Sequence, residues 1–235
     1  MIIVNQELLR EYSENDYIAS LLDSTSQEMD RKMTSHIWLK DSLPKRMVYH
    51  HLYGDILAKP SKGKSILDVG GGYTSLSRRL LANSDYYLLD FMAHDKAEDV
   101  RSIEKAVKKQ FWLNEDWYGF DTGGKSYDIV IANDLFPNVD QRLELFLKKF
   151  IPICSEIRVS LTYWNVPRFY LTKRTDADEI LCMCAWDGKH LRNVLQEYSG
   201  RIDDRKFEGL LDNKPSLWPN QRQVALMTIR GDLKR

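Results

Sequence analysis

Three consecutive glycines, Gly70–Gly72, stand where an apolar run gives way to a helical pattern. The run Ile66–Val69 precedes them, and Leu76 and Leu80 follow at helical spacing. This order predicts a strand, a tight turn and a helix. Glycine in the turn lets a ligand approach the backbone, and the helix directs its free N–H groups and positive dipole end at that ligand. The segment therefore predicts a binding loop, although a glycine cluster alone also fits a nucleotide phosphate site.

Two aspartates lie at informative distances from this loop. Asp68 lies inside the predicted strand, and Asp90 closes the next apolar run, 22 positions further on (90 − 68). The carboxylate of Asp90 can accept hydrogen bonds from both hydroxyls of a ribose. Dinucleotide-binding chains carry an acidic residue about 20 positions along in the same way. Asp90, with Phe91 beside it, therefore favours an adenosine-containing ligand without choosing which one.

The loop resembles motif I of the class I S-adenosylmethionine-dependent methyltransferases, whose pattern is acidic-x-Gly-x-Gly-x-Gly. Asp68, Gly70 and Gly72 match this pattern, with Gly71 between them, and Thr74 stands where the third glycine usually lies. The Gly-Lys-Ser/Thr ending of a P-loop is absent. The resemblance implies S-adenosylmethionine as the cofactor, and it implies that the acidic residues and glycines of these segments bind it.

Two further polar segments resemble cofactor-binding motifs of the same family. Glu115, Asp116 and Trp117 follow the predicted third strand. The resemblance implies that Asp116 accepts a hydrogen bond from the adenine amino group beside Trp117, with Glu115 as the rival acceptor. Asn133 and Asp134 follow the predicted fourth strand. They resemble motif IV, which implies that they hold the methionine part of the cofactor and face the acceptor.

A hydroxyl acceptor also needs a base, and histidine is the natural one near neutral pH. Residues 137–140, after the fourth strand, lack the histidine that many small-molecule methyltransferases carry there. His50 and His51, just upstream of the predicted sheet, are therefore the predicted catalytic candidates, with His36 as a third.

Aromatic and polar side chains after the fifth strand are the predicted substrate contacts, namely Tyr163, Asn165 and Arg168. Arg168 and Arg174 can each pair with a phosphate or carboxylate of a substrate. Metal-assisted transfer would need an acidic residue and an amide after this strand, but Thr162 and Tyr163 stand there. No metal is predicted.

Strand and helix patterns alternate from residue 65 onwards, which is typical of a parallel α/β sheet. The predicted strands are Ser65–Val69, Tyr86–Asp90, Phe111–Leu113, Tyr127–Ala132, Glu156–Leu161 and Val224–Ile229, with Arg201–Phe207 as a less certain partner of the last. With the resemblance, this order implies a seven-stranded, mostly parallel, doubly wound sheet of the Rossmann-like methyltransferase type. Residues 1–62 are predicted to form a helical extension or lid, residues 63–235 the catalytic domain that binds S-adenosylmethionine, and residues 163–186 an inserted arm.

The composition is that of an ordinary globular protein rather than of a nucleic-acid or membrane protein. Of 235 residues, 43% are apolar, and Lys plus Arg equal Asp plus Glu at 34 each. This balance, and the absence of an Asn-Pro-Pro-Tyr motif, argues against a DNA methyltransferase. No apolar run reaches the roughly 18–20 residues of a membrane span, and the N-terminus lacks a signal-peptide pattern. A cytoplasmic protein with a small-molecule substrate is expected, with a homodimer as one assembly to test.

The sequence therefore predicts a methyltransferase that acts on a small polar acceptor, with O-methylation of a sugar or secondary-metabolite hydroxyl as the first choice. N-methylation of a small amine is the nearest alternative. A Rossmann dehydrogenase and a non-catalytic binding subunit with a methyltransferase fold are the alternatives from other classes. The intact set of Asp68, Gly70, Gly72, Asp90 and Asp116 favours an enzyme over the binding subunit.

Overall fold

The computed structural model describes residues 1–59, 63–92, 94–173, 180–202 and 207–234. The strands are β1 (Ile2–Ile3), β2 (Ser65–Val69), β3 (Asp85–Leu89), β4 (Trp112–Leu113), β5 (Tyr127–Phe136), β6 (Cys154–Tyr163), β7 (Arg168–Lys173), β8 (Ile180–Ala185) and β9 (Gln223–Arg230). The α-helices are α1 (Gln6–Ser13), α2 (Tyr17–Thr25), α3 (Thr34–Asp41), α4 (Leu43–Ala58), α5 (Ser75–Asn83), α6 (Ala97–Val107), α7 (Leu143–Phe150) and α8 (Gly188–Gln196).

Seven strands form one sheet in the order β1-β9-β6-β5-β2-β3-β4. The pairs from β6 through β5, β2 and β3 to β4 are all parallel. Strand β9 runs antiparallel to both of its neighbours, β6 and β1. The predicted seven-stranded, mostly parallel sheet is confirmed, and β9 is its single reversed strand.

The strand at the β9 edge of the sheet differs from the prediction. Its place beside β9 is taken by Ile2–Ile3. Within Arg201–Phe207, residues 203–206 lie outside the described part of the chain, and the segments on either side, Ser199–Arg201 and Phe207–Leu211, are 3-10 turns. A two-residue strand is too short to show the alternation on which a strand prediction depends.

The sheet separates two apolar layers because neighbouring strand residues point to opposite faces. Ile66 packs into one layer, with the N-terminal helices α1, α2 and α4 and with α5. Leu67 and Val69 pack into the other layer, with α7 and α8. The N-terminal helices therefore cover one face of the sheet, and α4 brings them close to the carboxyl ends of its central strands.

Strands β7 and β8 pair antiparallel in a separate two-stranded sheet, within the segment predicted as an inserted arm. Cys182 and Cys184 are both exposed on β8, as expected for alternate residues on one face of a strand. Arg174, a predicted substrate contact, lies outside the described residues.

Among the helices that the structure describes, none has both the length and the apolar character required to cross a membrane.

Candidate functional site

A cavity of about 590 Å³ opens at the carboxyl ends of β2, β3, β5 and β6. Carboxyl ends of parallel strands are where open α/β sheets bind ligands. Most of the predicted cofactor contacts line this cavity: Gly70, Gly71, Gly72, Asp90, Phe91, Glu115, Asp116, Trp117, Asn133 and Asp134.

The glycine loop after β2 has the backbone conformation that its sequence predicts. Gly70 and Gly72 adopt φ values of 69° and 64°, in the left-handed region that glycine tolerates without strain. Thr74 caps α5, and its side chain accepts from the backbone N–H of Leu76. The backbone N–H of Ser75 donates to Nδ1 of the buried His36 at 3.3 Å. The loop is thus held both by the capped start of α5 and by a hydrogen bond to the N-terminal extension.

Asp90 ties the end of β3 to the glycine loop. Its Oδ2 accepts from the backbone N–H of Gly72 at 2.9 Å, and its Oδ1 accepts from that of Met92 at 2.7 Å. Burial raises the pKa of Asp90, against the effect of these two hydrogen bonds. Each oxygen keeps acceptor capacity after one hydrogen bond, so the carboxylate can still receive a pair of ligand hydroxyls.

Asp68 lies beneath the glycine loop and does not line the cavity. It is 2% exposed, and it accepts hydrogen bonds from the hydroxyls of Tyr53 at 3.0 Å and Tyr86 at 2.8 Å. A Cβ on Gly71 would stand 2.3 Å from Asp68 Oδ1, so the carboxylate packs directly under the loop backbone. The structure therefore corrects the predicted contact with the cofactor, because the side chain points into the tyrosine cluster and supports the loop from behind.

Burial raises the pKa of Asp68 from its usual 3.8 to about 7, although the hydrogen bonds from Tyr86 and Tyr53 oppose this shift. The folded chain then holds a proton that the unfolded chain releases between these values, so the free energy of unfolding should fall as pH rises from about 4 to about 7. We expect Asp68→Asn to flatten this part of the pH profile, as measured by urea unfolding at several pH values. Asp85→Asn, at the exposed start of β3, should keep the wild-type slope. Equal slopes of the free energy of unfolding against pH in all three proteins would contradict the raised pKa of Asp68.

Asp116 and Trp117 belong to a network at the β4 end of the cavity. Arg142 pairs with Asp116 at 3.0 Å and with Asp140 at 2.7 Å, and the Trp117 indole N–H donates to Asp140 at 2.7 Å. Although burial opposes ionisation, the hydrogen bond from Arg142 helps to lower the pKa of Asp116. The Trp117 ring packs in the core against Phe136 at 5.8 Å. Trp117 therefore forms part of the cavity floor, and Asp116 remains a charged acceptor at the rim.

The end of β5 is irregular and directs polar groups into the cavity. The pairing of β5 with β6 shifts register between Ala132 and Phe136, and Asp134 takes a φ of 57°. Ser160 on β6 fixes this bulge, because its hydroxyl donates to Asn133 Oδ1 at 2.8 Å and accepts from the Asp134 backbone N–H at 2.7 Å. Asn133 and Asp134 are thereby held in the lining of the cavity.

No family model and no curated protein sequence matches this chain. Solved structures do match it in shape. The N-terminal domain of EvdMO1 with SAH bound aligns with a TM-score of 0.52 and 12% identity, over 78% of this chain and 81% of that one. The same domain in the presence of SAH and D-fucose gives a TM-score of 0.51 and 14% identity, over 78% and 82% of the two chains.

A protein from Listeria monocytogenes, assigned as an S-adenosylmethionine-dependent methyltransferase, aligns with a TM-score of 0.50 and 9% identity, over 79% of this chain and 98% of that one. The chain has the class I methyltransferase fold. Within this fold, the glycine loop after β2 and the acidic end of β3 occupy neighbouring strand ends, as the sequence predicts.

The predicted catalytic histidines lie outside the cavity of the methyltransferase fold. His50 and His51 line a separate depression on the other side of α4, together with Asp55 and Arg158. Each residue advances about 100° around a helix, so the neighbouring Tyr49, which does line the cavity, points away from both histidines. The geometry does not support a role for either histidine as the base.

The predicted substrate contacts are also elsewhere. Tyr163 is buried in the apolar layer under β6, and Asn165 is exposed on the loop that follows. Arg168 is exposed as well and donates to the Asn220 carbonyl at 2.8 Å. None of these three residues lines the cavity. On β6 it is Ser160 that lines it, and Tyr163, three positions further along the strand, points to the opposite face.

Several cavity residues come from distant parts of the chain and were not predicted from the sequence: Ser35, Trp38, Lys45, Val48, Tyr49, Trp218 and Arg222. The positions 45, 48 and 49 share one face of a helix, and this spacing is visible in the sequence. Arg222 and Trp218 precede β9, and no sequence signal marks them as part of the site.

Proposed function

We propose that this chain is an S-adenosylmethionine-dependent methyltransferase that acts on a small polar acceptor. The observation that carries the proposal is the position of Asp90, whose carboxylate joins the glycine loop while facing the same cavity as Asp116 and Asp134. Asp90 follows β3, Asp116 follows β4 and Asp134 lies near the end of β5, so the three acidic residues come from different strand ends and line one cavity. SAH in the similar EvdMO1 domain supports the same cofactor here.

The residues present fit this cofactor. Asp90 offers two oxygens to ribose hydroxyls, Asp116 offers an acceptor to an adenine amino group, and the glycine backbone leaves room for close approach. When bound, S-adenosylmethionine supplies an electrophilic methyl group on a sulfonium. The protein then contributes mainly by holding the acceptor in line with that methyl group and by excluding water.

Residues 1–62 are proposed to close this site as a lid over the catalytic domain of residues 63–235. The backbone N–H of Thr34 donates to Asp95 at 2.8 Å, and the Thr34 hydroxyl donates to the His94 carbonyl at 3.1 Å. The rings of Trp38 and His94 lie 4.9 Å apart. Helix α3 is thus attached to the loop after β3, which holds Asp90.

O-methylation of a sugar or secondary-metabolite hydroxyl remains the proposed reaction, with N-methylation of a small amine as the alternative. The cavity volume is in the usual range for small-molecule sites, and tryptophan and polar side chains line it together. D-fucose was present with one EvdMO1 structure, which supports including sugars among the first acceptors tested. An amine needs no strong base once it is deprotonated.

We expect His50→Ala and His51→Ala to retain methyl transfer within about twofold of wild type, because neither side chain lines the cavity. Loss of a true base would reduce turnover by about 10²–10⁴. Turnover with saturating acceptor measures the difference. A drop of that size in either variant, with SAH binding intact, would restore the histidine as the base.

The proposal is tested by incubating the protein with methyl-labelled S-adenosylmethionine and a panel of sugars, phenols and amines. Transfer of label to a hydroxyl compound, lost in Asp90→Ala, is the expected result. Transfer to amines alone would select N-methylation. Failure to bind S-adenosylmethionine at all would overturn the proposal.

A further inference from the structure

The cavity has a second end, away from the residues proposed to hold adenosine. Asp90 and Asp116 follow β3 and β4, on one side of the glycine loop, whereas Asp134, Ser160 and Arg222 lie over β5, β6 and the start of β9, on the other side. Lys45 from α4 and Trp218 line the cavity as well, and the four residues Lys45, Asp134, Trp218 and Arg222 are called the cationic end.

Arg222 is a buried cation with donor capacity left over. It is 8% exposed and pairs with Asp134 through two contacts of 2.9 and 3.3 Å. The Asn138 amide also donates to Asp134 at 3.0 Å, so this carboxylate is shared. The guanidinium has five N–H donors, and its Nε has no hydrogen-bond partner although it is buried.

Trp218, like Arg222, has a buried donor without a hydrogen-bond partner. Its indole Nε1 is also buried without a partner, and the Arg222 guanidinium lies 5.1 Å from the centre of its ring. Native structures leave few buried polar groups unpaired, and those that remain call for an explanation. Both orphan groups are donors and both residues line the same cavity, although the two unpaired nitrogens are themselves covered by protein atoms.

Lys45 adds a further positive charge. Its Nζ lies 4.8 Å from the centre of the Trp38 ring, and within the described ranges no carboxylate comes within ion-pair distance of it. Burial lowers the pKa of Lys45, while Asp134 raises it and Arg222 lowers it. With Lys45 protonated, two cations and one carboxylate leave this end of the cavity with one excess positive charge.

We propose that the cationic end binds an anionic group of the methyl acceptor, either a carboxylate or a phosphate, through Arg222 and Lys45. This inference rests on the proposed function, because it assigns the other end of the cavity to the cofactor. An anion in the cavity would accept from the Arg222 guanidinium and balance the charge of Lys45. Arginine suits this role because its planar donors match the oxygens of both groups. The acceptor is therefore a small anionic molecule, which narrows the earlier description of a small polar one.

The test is calorimetric titration of SAH-saturated protein with benzoate, phenyl phosphate and the neutral benzyl alcohol. We expect saturable binding of one or both anions and none of the alcohol, and the two anions separate a carboxylate site from a phosphate site. Lys45→Met and Arg222→Met should each weaken the bound anion by about tenfold or more. Lys189→Met, an exposed cation on α8, should match wild type. Absence of anion binding in wild type, or equal binding of the alcohol, overturns the inference.

A second measurement separates the acceptor from the carboxylate of the cofactor itself. SAH and 5′-methylthioadenosine, which lacks the amino-acid part, are titrated into the same variants. Unchanged affinity for both supports the inference. Weaker SAH binding with unchanged 5′-methylthioadenosine binding would assign the cations to the cofactor and overturn it. Failure of SAH to bind wild type would instead reject the proposed function. Thermal melting shows whether Arg222→Met folds. If it does not fold, the single variants Arg222→Lys and Lys45→Met are used for the test.

Discussion

Asp90→Ala is expected to weaken SAH binding by about 1–3 kcal/mol, which is roughly 5–150-fold in Kd. The substitution removes the proposed acceptor for the ribose hydroxyls. It also leaves the backbone N–H groups of Gly72 and Met92 without their partner, so the loop loses one attachment to the end of β3 and keeps the hydrogen bond from the Gly70 N–H to the Leu89 carbonyl. Isothermal titration of SAH into wild type and variant measures the effect.

The matched control is Asp85→Ala, at the other end of the same strand, where the carboxylate pairs with Lys109 at 3.0 Å near the surface. This variant should bind SAH as wild type does. An unchanged Kd in Asp90→Ala would mean that Asp90 does not contact the ribose, whereas equal losses in both variants would indicate general damage to β3.

Gly72→Ala is expected to weaken SAH binding by about tenfold or more, because it strains the loop and pushes against the extension. The left-handed φ of 64° costs a residue with a side chain about 1–2 kcal/mol. The added Cβ would also lie 1.9 Å from Ser35 Oγ and 2.7 Å from Ser35 Cβ, so α3 or the loop must move. Titration of SAH and thermal unfolding report the two effects separately.

Gly123→Ala isolates the strain from the clash. Gly123 has a similar φ of 57°, but an added Cβ there meets no atom within 4 Å. It should lower stability without changing SAH affinity. Ser35→Gly should restore part of the affinity that Gly72→Ala loses, since it removes the clashing atoms. If Gly72→Ala behaves like Gly123→Ala, the contact between α3 and the loop does not matter for binding.

The sequence predicts those parts of the site in which the local backbone conformation determines the residue type. Gly70 and Gly72 are predictable because a left-handed turn after a buried strand selects glycine whatever the rest of the chain does. Asp90 is predictable because a strand end beside that turn has a fixed place in a parallel sheet. Strands β2 and β5 are predictable from short, mainly apolar runs, since central parallel strands are buried on both faces, and β6 is predictable from the alternation of Ile157, Val159 and Leu161 with polar residues.

The parts that the sequence does not predict depend on tertiary packing. Asp68 matches a cofactor motif, but whether its carboxylate faces the cavity or the core depends on Tyr53 and Tyr86, which come from distant elements. Tyr49 and His50 are adjacent in the sequence, and only the orientation of α4 on the sheet decides which of them lines the cavity. Arg222 reaches the site through its pairing with Asp134, 88 positions away in the chain.

Calorimetric titration of the wild-type chain with SAH and, separately, with NAD tests the proposed cofactor most directly. The two ligands share an adenosine, and they require different partners beyond it. We expect saturable binding of one SAH per chain and no saturable binding of NAD. Binding of NAD with no heat from SAH would contradict this expectation, and would assign the glycine loop and Asp90 to a dinucleotide.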